Sequence, residues 1–227
     1  MARKKTLLWA TLIGAALGVR VARSGLPLPA GIPALAVDKV LCAQWQLPGA
    51  VALWVVYSLY WEAAARGASS DKAAESHASR GAHVFLVNAA LILEVAPLRG
   101  LGRYLPMSSA VMTAGLALAT AGLAFAIWAR RHLGANWSGR ITIKVDHQLV
   151  RSGPYRLLRH PIYTGILTMF AGTAVVTGAW LAAGGFAVAA IAYWRKLRLE
   201  EARLTAAFGS EYQAYRGETW ALVPGLF

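Results

Sequence analysis

Residues Pro161–Trp194, PIYTGILTMFAGTAVVTGAWLAAGGFAVAAIAYW, are 34 consecutive positions without a charged side chain. At ~1.5 Å rise per residue, one helix of that length measures about 50 Å, whereas a bilayer core is ~30 Å thick. A single untilted crossing cannot use so long a run. Gly178 loosens a helix and Trp180 suits a membrane interface, so the run reads as a helical hairpin that reverses at Thr177–Trp180. Basic residues close both ends, Arg159-His160 before it and Arg195-Lys196 after it.

Four further apolar runs lie upstream, at Thr6–Val21, Leu47–Ala65, Ala82–Leu98 and Met107–Ala129. With the hairpin they predict an all-α, polytopic membrane bundle of about six transmembrane helices, ending in a cytosolic tail. The charge distribution sets its expected orientation. Counted on alternate sides, with the N-terminus inside, 18 Lys and Arg fall inside and 5 outside. Such a bias follows the positive-inside rule and predicts that both termini are cytosolic. We expect the first apolar run to be a retained helix, because Arg20-Val21-Ala22 makes a poor signal-peptide cleavage site. The stretch holding Pro27, Pro29 and Pro33 reads as an outer loop.

Composition agrees with a membrane protein: 57% of residues are apolar, only 15% are charged, and the mean hydropathy is +0.47. The net charge of +13 sits in segments between apolar runs, not on a basic helix of its own. That pattern fits contact with anionic headgroups and argues against nucleic-acid binding. Cys42 is the single cysteine and has no CxxC partner. The five histidines show no His-x-x-x-His or carboxylate spacing, so no metal site is expected; His77, His83 and His132 read as interface or packing residues. No Gly-x-Gly-x-x-Gly follows a strand-like run. Asn88 and Glu94 are costly in lipid and are expected to face the bundle interior, unless Glu94 snorkels to the outer surface.

Two segments are patterned beyond what a loop needs. In the first, Gly153-Pro154 makes a turn and Pro161 suits the first turn of a helix, which places Arg159 and His160 at a helix N-terminus. Such an end attracts carboxylate or phosphate. Tyr163 and Gly165 follow within a turn, offering an aromatic face and a close backbone approach. In the second segment, Glu200-Glu201 stands among Arg195, Lys196, Arg198 and Arg203. Hairpin geometry returns this pair to the membrane face that carries Arg159-His160. Read alone, the first is an interface anchor and the second a solvated helix face making i,i+4 pairs. Joined across a charge-free hairpin, they build one pocket.

Together these segments resemble the isoprenylcysteine carboxyl methyltransferase family and its bacterial relatives, which are related to phospholipid N-methyltransferases. The matching elements are His147–Val150, Gly153-Pro154-Tyr155, Arg159-His160-Pro161-x-Tyr163-x-Gly165, Glu200-Glu201-x-x-Leu204 and Phe208-Gly209-x-Glu211-Tyr212-x-x-Tyr215. They run from Leu133 to Pro224, about 40% of the chain. The resemblance implies an integral membrane methyltransferase that uses S-adenosyl-L-methionine and acts on a lipophilic acceptor. Its acceptor would be isoprenylcysteine-carboxyl-like or phospholipid-like. It divides the chain into N-terminal membrane helices, residues 1–106, and a C-terminal methyltransferase module with a cytosolic cofactor pocket, residues 107–227.

By the same resemblance, His147, Gln148, Leu149, Val150, Tyr155, His160, Pro161, Ile162 and Tyr163 wrap the cofactor, and Glu200 or Glu201 contacts it. An Arg near the end of the hairpin orients the substrate, a role for which Arg195 and Arg198 compete. Glu201 joins them as a catalytic candidate. The chain departs from the family at Trp220-Ala221-Leu222, where relatives often place an Arg. Membrane sterol and steroid reductases, which bind NADPH, look similar in their last helices. They carry an Arg-Asp-Glu type segment with a downstream Cys where this chain has Glu200-Glu201-x-x-Leu204.

Overall fold

The computed structural model describes residues 45–65, 71–74, 76–95, 102–134, 137, 142–144 and 149–226. The first apolar run, the Pro-rich loop, His147 and Gln148 lie outside the described residues. Six helices carry the architecture: α1 (Gln46–Ala65), α2 (His77–Val95), α3 (Ser109–Leu133), α4 (Pro161–Thr177), α5 (Trp180–Phe208) and α6 (Ser210–Glu218). The architecture is all-α, as expected, with one two-stranded patch. Short strands β1 (Asp71–Ala74) and β2 (Thr142–Lys144) pair antiparallel, bringing the α1–α2 connection beside the segment that follows α3.

The long charge-free run divides at Gly178 and Ala179. Gly178 has φ 60°, a left-handed value that suits a residue without a side chain, and it returns its N–H to the Ala174 carbonyl. Residues 102–105 cross this break and satisfy its polar groups. Tyr104 N–H donates to the Gly178 carbonyl (2.9 Å), Trp180 N–H donates to the Gly102 carbonyl (3.2 Å), and Arg103 donates to the Thr177 carbonyl. After the break α5 runs back along α4, bringing Tyr193 to 5.2 Å from Tyr163 between ring centroids.

Glycine sets the distance between α3 and α4. A Cβ at Gly122 would lie 2.6 Å from the Gly165 carbonyl oxygen, and one at Gly165 would lie 2.7 Å from the Ala126 nitrogen. Gly115 faces Gly172 in the same way, 2.8 Å from its carbonyl oxygen. The two backbones therefore touch along a seam of small residues, a packing that suits helices in lipid, where apolar burial alone drives little association. Gly165 is thus a helix-packing residue, and its close backbone approach is to α3 rather than to a ligand. Gly185 does the same for α5 against α2, meeting the Ala90 carbonyl.

Around this seam the core is built from Trp54, Leu123, Ala126, Ile166, Met169, Phe170 and Tyr193. Trp54 anchors α1 by donating its indole N–H to Thr173 (3.1 Å) while its ring packs on Phe170. Arg130, buried at the end of α3, donates to the Ala64 carbonyl at the end of α1 and lies over the Trp137 ring. By length and composition α2 and α3 are each long and apolar enough to cross a membrane, and α4 is apolar over 17 residues. Phe85 and Ile92 on α2, Leu118 on α3 and Ile191 on α5 stay exposed. Asn88 and Glu94 point inward: Asn88 is buried and Glu94 is wholly inaccessible, so Glu94 does not snorkel.

Candidate active site

The turn Gly153–Arg156 delivers the chain to α4. Gly153 has φ 58° and lies against the His132 ring, so a side chain there meets both strain and a clash. Tyr155 is buried beneath the turn and stacks on His132. Pro161 occupies the first position of α4, and His160 precedes it as N-cap. The C-terminal tail then pairs with this approach. Arg159 N–H donates to the Trp220 carbonyl (2.8 Å), His160 N–H to the Ala221 carbonyl (3.1 Å), and the Thr164 hydroxyl to the Leu222 carbonyl (2.7 Å). The tail segment that departs from the family pattern therefore closes this end of the site through its backbone, which any residue supplies.

Within that frame α5 presents two adjacent carboxylates with different duties. Glu201 is buried, and its Oε1 accepts from Arg159 Nε at 2.7 Å. His160 Nε2 lies 3.4 Å from the same oxygen, and Arg216 Nε lies 3.6 Å from Oε2. Burial alone would raise the Glu201 carboxyl. The neighbouring His160 and Arg159 outweigh burial and hold it at about 2. The Arg159 guanidinium also donates to the carbonyls of Arg216 and Thr219, so one side chain ties α4, α5 and the tail together.

Glu200 is the more open of the pair. Its Oε2 accepts the Tyr163 hydroxyl at 2.6 Å and lies 3.7 Å from His160 Nδ1. His160 stacks parallel to Tyr163, 5.4 Å between centroids. The buried Tyr212 hydroxyl in this cluster has no hydrogen-bond partner, while His160 Nε2 is taken up by its 3.4 Å approach to Glu201. Buried donors and acceptors are almost always satisfied in a folded protein, so the Tyr212 hydroxyl is a candidate contact for a polar ligand. Among the described residues, no three His, Cys, Asp or Glu side chains converge as metal ligands.

Residues 115–206 match the sequence model of the isoprenylcysteine carboxyl methyltransferase (ICMT) family. The match covers less than half of the chain. It begins inside α3 and runs to the end of α5, so it holds the glycine seam, His160, Tyr163, Glu200 and Glu201, and it stops short of the Tyr212–Leu222 tail. A protein-S-isoprenylcysteine O-methyltransferase of Dictyostelium discoideum is 32% identical over 82 residues, 36% of this chain and 35% of that protein. Methanethiol S-methyltransferase 2 of Bradyrhizobium diazoefficiens is 42% identical over 74 residues, 32% of this chain and 27% of that protein. The chain thus covers about a third of each of these relatives. A solved structure of the eukaryotic intramembrane Ras methyltransferase ICMT superposes with a TM-score of 0.51 at 17% identity, covering 98% of this chain and 75% of that one. The ICMT-like membrane fold therefore extends well beyond the matched segment.

The residues read from the sequence distribute unevenly in space. His160, Tyr163, Glu200 and Glu201 converge, all within the matched segment. Pro161 and Ile162 are buried in the first turn of α4, Leu149 and Val150 are half-buried, and Val150 packs against the main core. Arg195 is directed elsewhere, donating to the Ser79 hydroxyl (2.8 Å) at the start of α2. Arg198 is exposed. Arg159, Arg216 and the unpartnered Tyr212 hydroxyl are additions the site-residue reading lacked. The hairpin reading already set Arg159 in one pocket with Glu200-Glu201, but nothing local says that its guanidinium pairs with Glu201, 42 residues on.

The two acidic positions Glu201 and Glu211 provide a graded test. Glu211 is exposed and meets Arg151 at 3.3 Å, also at the surface. Glu211→Gln should change stability and turnover by less than ~1 kcal/mol. Glu201→Gln breaks a buried charged hydrogen bond, worth about 1.5–3 kcal/mol, and should lower cofactor affinity roughly tenfold or more. It should also alter the acid response. A carboxyl held at about 2 instead of 4.5 lends stability that is complete above the higher value and is lost as pH falls through the lower one. Melting curves in detergent should therefore show the wild type losing more stability than Glu201→Gln between those limits. Parallel curves would remove Glu201 from the account.

Proposed function

We propose that this chain is an integral membrane methyltransferase that uses S-adenosyl-L-methionine to methylate a lipophilic acceptor, with six membrane spans and both termini cytosolic. In this reading α4 and α5 form a membrane hairpin whose cytosolic mouth is the Arg159–His160–Tyr163–Glu200–Glu201 cluster. Residues 107–227 are the methyltransferase module. The observation that carries the reading is the buried, unpartnered Tyr212 hydroxyl beside the Glu200–Glu201 pair, in a chain whose residues 115–206 match the ICMT family model.

The residues suit a cofactor that combines a cationic centre, hydroxyls and an aromatic base. Glu200 offers a carboxylate to cationic or hydroxyl groups, while the Tyr212 hydroxyl still lacks a partner. Tyr163 and Tyr193 supply aromatic faces that attract cations. Glu201 is the positioning carboxylate: Arg159 occupies it, and so it fixes His160 and the tail instead of meeting the cofactor directly. When bound, the cofactor supplies an electrophilic methyl group on a sulfonium. The protein's tasks are to hold an acceptor about 3–3.5 Å from that carbon and to exclude water. A carboxylate or thiolate acceptor needs no general base. An amine or hydroxyl acceptor requires proton removal, for which Glu200 is best placed.

The test is to supply labelled S-adenosyl-L-methionine to membranes of cells that express the chain and to membranes of cells that do not. The expected result is label in the organic extract of the first only. Label confined to water-soluble products, or equal in both, overturns the assignment. Reporters fused to the C-terminus should report the cytosolic side.

A further inference from the structure

We propose that the tail, residues 220–226, seats in the cytosolic leaflet of the bilayer, and that the lipid surface is the partner that holds the cofactor site closed. The inference rests on the reading of α4 and α5 as a membrane hairpin and adds an interaction surface to it. Trp220, Val223 and Leu226 are exposed, Leu226 at 64%, although the segment they belong to is tied to α4. Leu157 is exposed beside them, and its carbonyl accepts the Trp220 N–H (3.1 Å). Large apolar side chains grouped in this way mark an interaction surface. Their depth in the bundle says what covers them.

Thr164 fixes that depth. Its hydroxyl donates to the Leu222 carbonyl (2.7 Å), which lays the tail beside the first turn of α4. Thr164, Leu167, Thr168, Ala171 and Val175 are all half-exposed, at the spacing of one helix face. Gly165 and Gly172 meet α3 on one flank of this row, and Tyr163 meets Tyr193 of α5 on the other. The row is therefore the stripe of α4 left to lipid, and the tail lies at its cytosolic end. At ~1.5 Å per residue, the 17 residues of α4 span about 26 Å, less than the ~30 Å core, so even its first turn reaches the hydrocarbon edge. Exposed Trp194, next to Tyr193 on α5, marks the same level as an interface tryptophan. Apolar side chains at this boundary gain by inserting, and exposed Arg156 beside Leu157 suits headgroup phosphate. The same segment closes the site: the Trp220 and Ala221 carbonyls accept the Arg159 and His160 N–H groups. Seating the tail in the leaflet thus favours the closed arrangement, and unseating it opens His160 to water.

The experiment uses the full chain in phosphatidylcholine vesicles, with Cys42, its single cysteine, replaced by Ser. Nitroxide labels are attached singly to Val223→Cys, Leu226→Cys, Leu118→Cys on the exposed face of α3, and Gln213→Cys on the exposed face of α6. Labels at 223 and 226 should collide with dissolved oxygen more than with an aqueous nickel chelate, as the label at 118 does. The label at 213 should show the reverse. Labels at 223 and 226 that behave like the one at 213 overturn the proposal. The second readout is S-adenosylhomocysteine binding in the same vesicles. Val223→Glu combined with Leu226→Glu should weaken it about tenfold by draining the closed population, while Val223→Leu combined with Leu226→Met should keep it within about twofold. Undiminished binding by the double glutamate variant shows that the bilayer does not hold the site closed and also overturns the proposal. A label at 118 that sits in water overturns the membrane reading and this proposal with it. Wild type that binds no S-adenosylhomocysteine defeats the methyltransferase reading alone, and the labels still decide where the tail lies.

Discussion

Arg159→Ala should lower stability by about 3–5 kcal/mol and abolish S-adenosylhomocysteine binding, because it strands a buried carboxylate. Arg159 Nε reaches Glu201 at 2.7 Å with both side chains nearly inaccessible to solvent. The same guanidinium holds the carbonyls of Arg216 and Thr219. Its loss therefore also frees α6 and the tail that close over His160. Arg159→Lys separates charge from geometry: it keeps a cation near Glu201 but lacks the fork needed to reach the tail carbonyls, and should recover only part of the loss. Thermal unfolding in detergent, with and without S-adenosylhomocysteine, measures both effects. An Arg159→Ala protein that melts and binds like wild type would show that the buried pair organises nothing.

Gly172→Leu should prevent α3 and α4 from packing, destabilising the fold by at least about 3 kcal/mol. A Cβ at Gly172 would overlap the Ala119 nitrogen and lie 2.6 Å from the Gly115 carbonyl oxygen. These are backbone atoms, so no rotamer change relieves the overlap and the helices must separate along the whole seam. Gly184→Ala in α5 is the control. Nothing lies within 4 Å of its added Cβ, and alanine suits a helix interior better than glycine by about 0.5–1 kcal/mol. Size-exclusion profiles of the two variants should diverge, Gly172→Leu running as aggregate and Gly184→Ala as wild type. A monodisperse Gly172→Leu protein with wild-type stability would refute the close-contact seam.

Some of this was legible in the sequence, for identifiable reasons. The break at Gly178 follows from arithmetic, since a charge-free run longer than the bilayer is thick must divide. The placement of His160 at a helix N-terminus follows from Pro161, whose chemistry confines it to a first turn. Patterns carried by side-chain direction were harder to read. Glu200 and Glu201 are neighbours in sequence, yet α5 turns one toward Tyr163 and the other under Arg159. Arg195 looked suited to a substrate, but its side of α5 faces Ser79 of α2. Gly165 read as a close backbone approach with its partner unnamed, and the helix spacing it shares with Gly172 matches Gly115 and Gly122 on α3. That matched spacing was the available signal.

The central claim is that the cluster at the start of α4 and the end of α5 holds S-adenosyl-L-methionine. Calorimetric titration of the purified, folded protein with S-adenosylhomocysteine tests it most directly, with His160→Ala, Glu211→Gln and an NADPH titration run alongside. The account predicts saturable binding of S-adenosylhomocysteine, unchanged in Glu211→Gln and weakened roughly tenfold or more in His160→Ala, with no heat from NADPH. Folded His160→Ala protein with undiminished affinity, or wild type that binds NADPH and ignores S-adenosylhomocysteine, would contradict it.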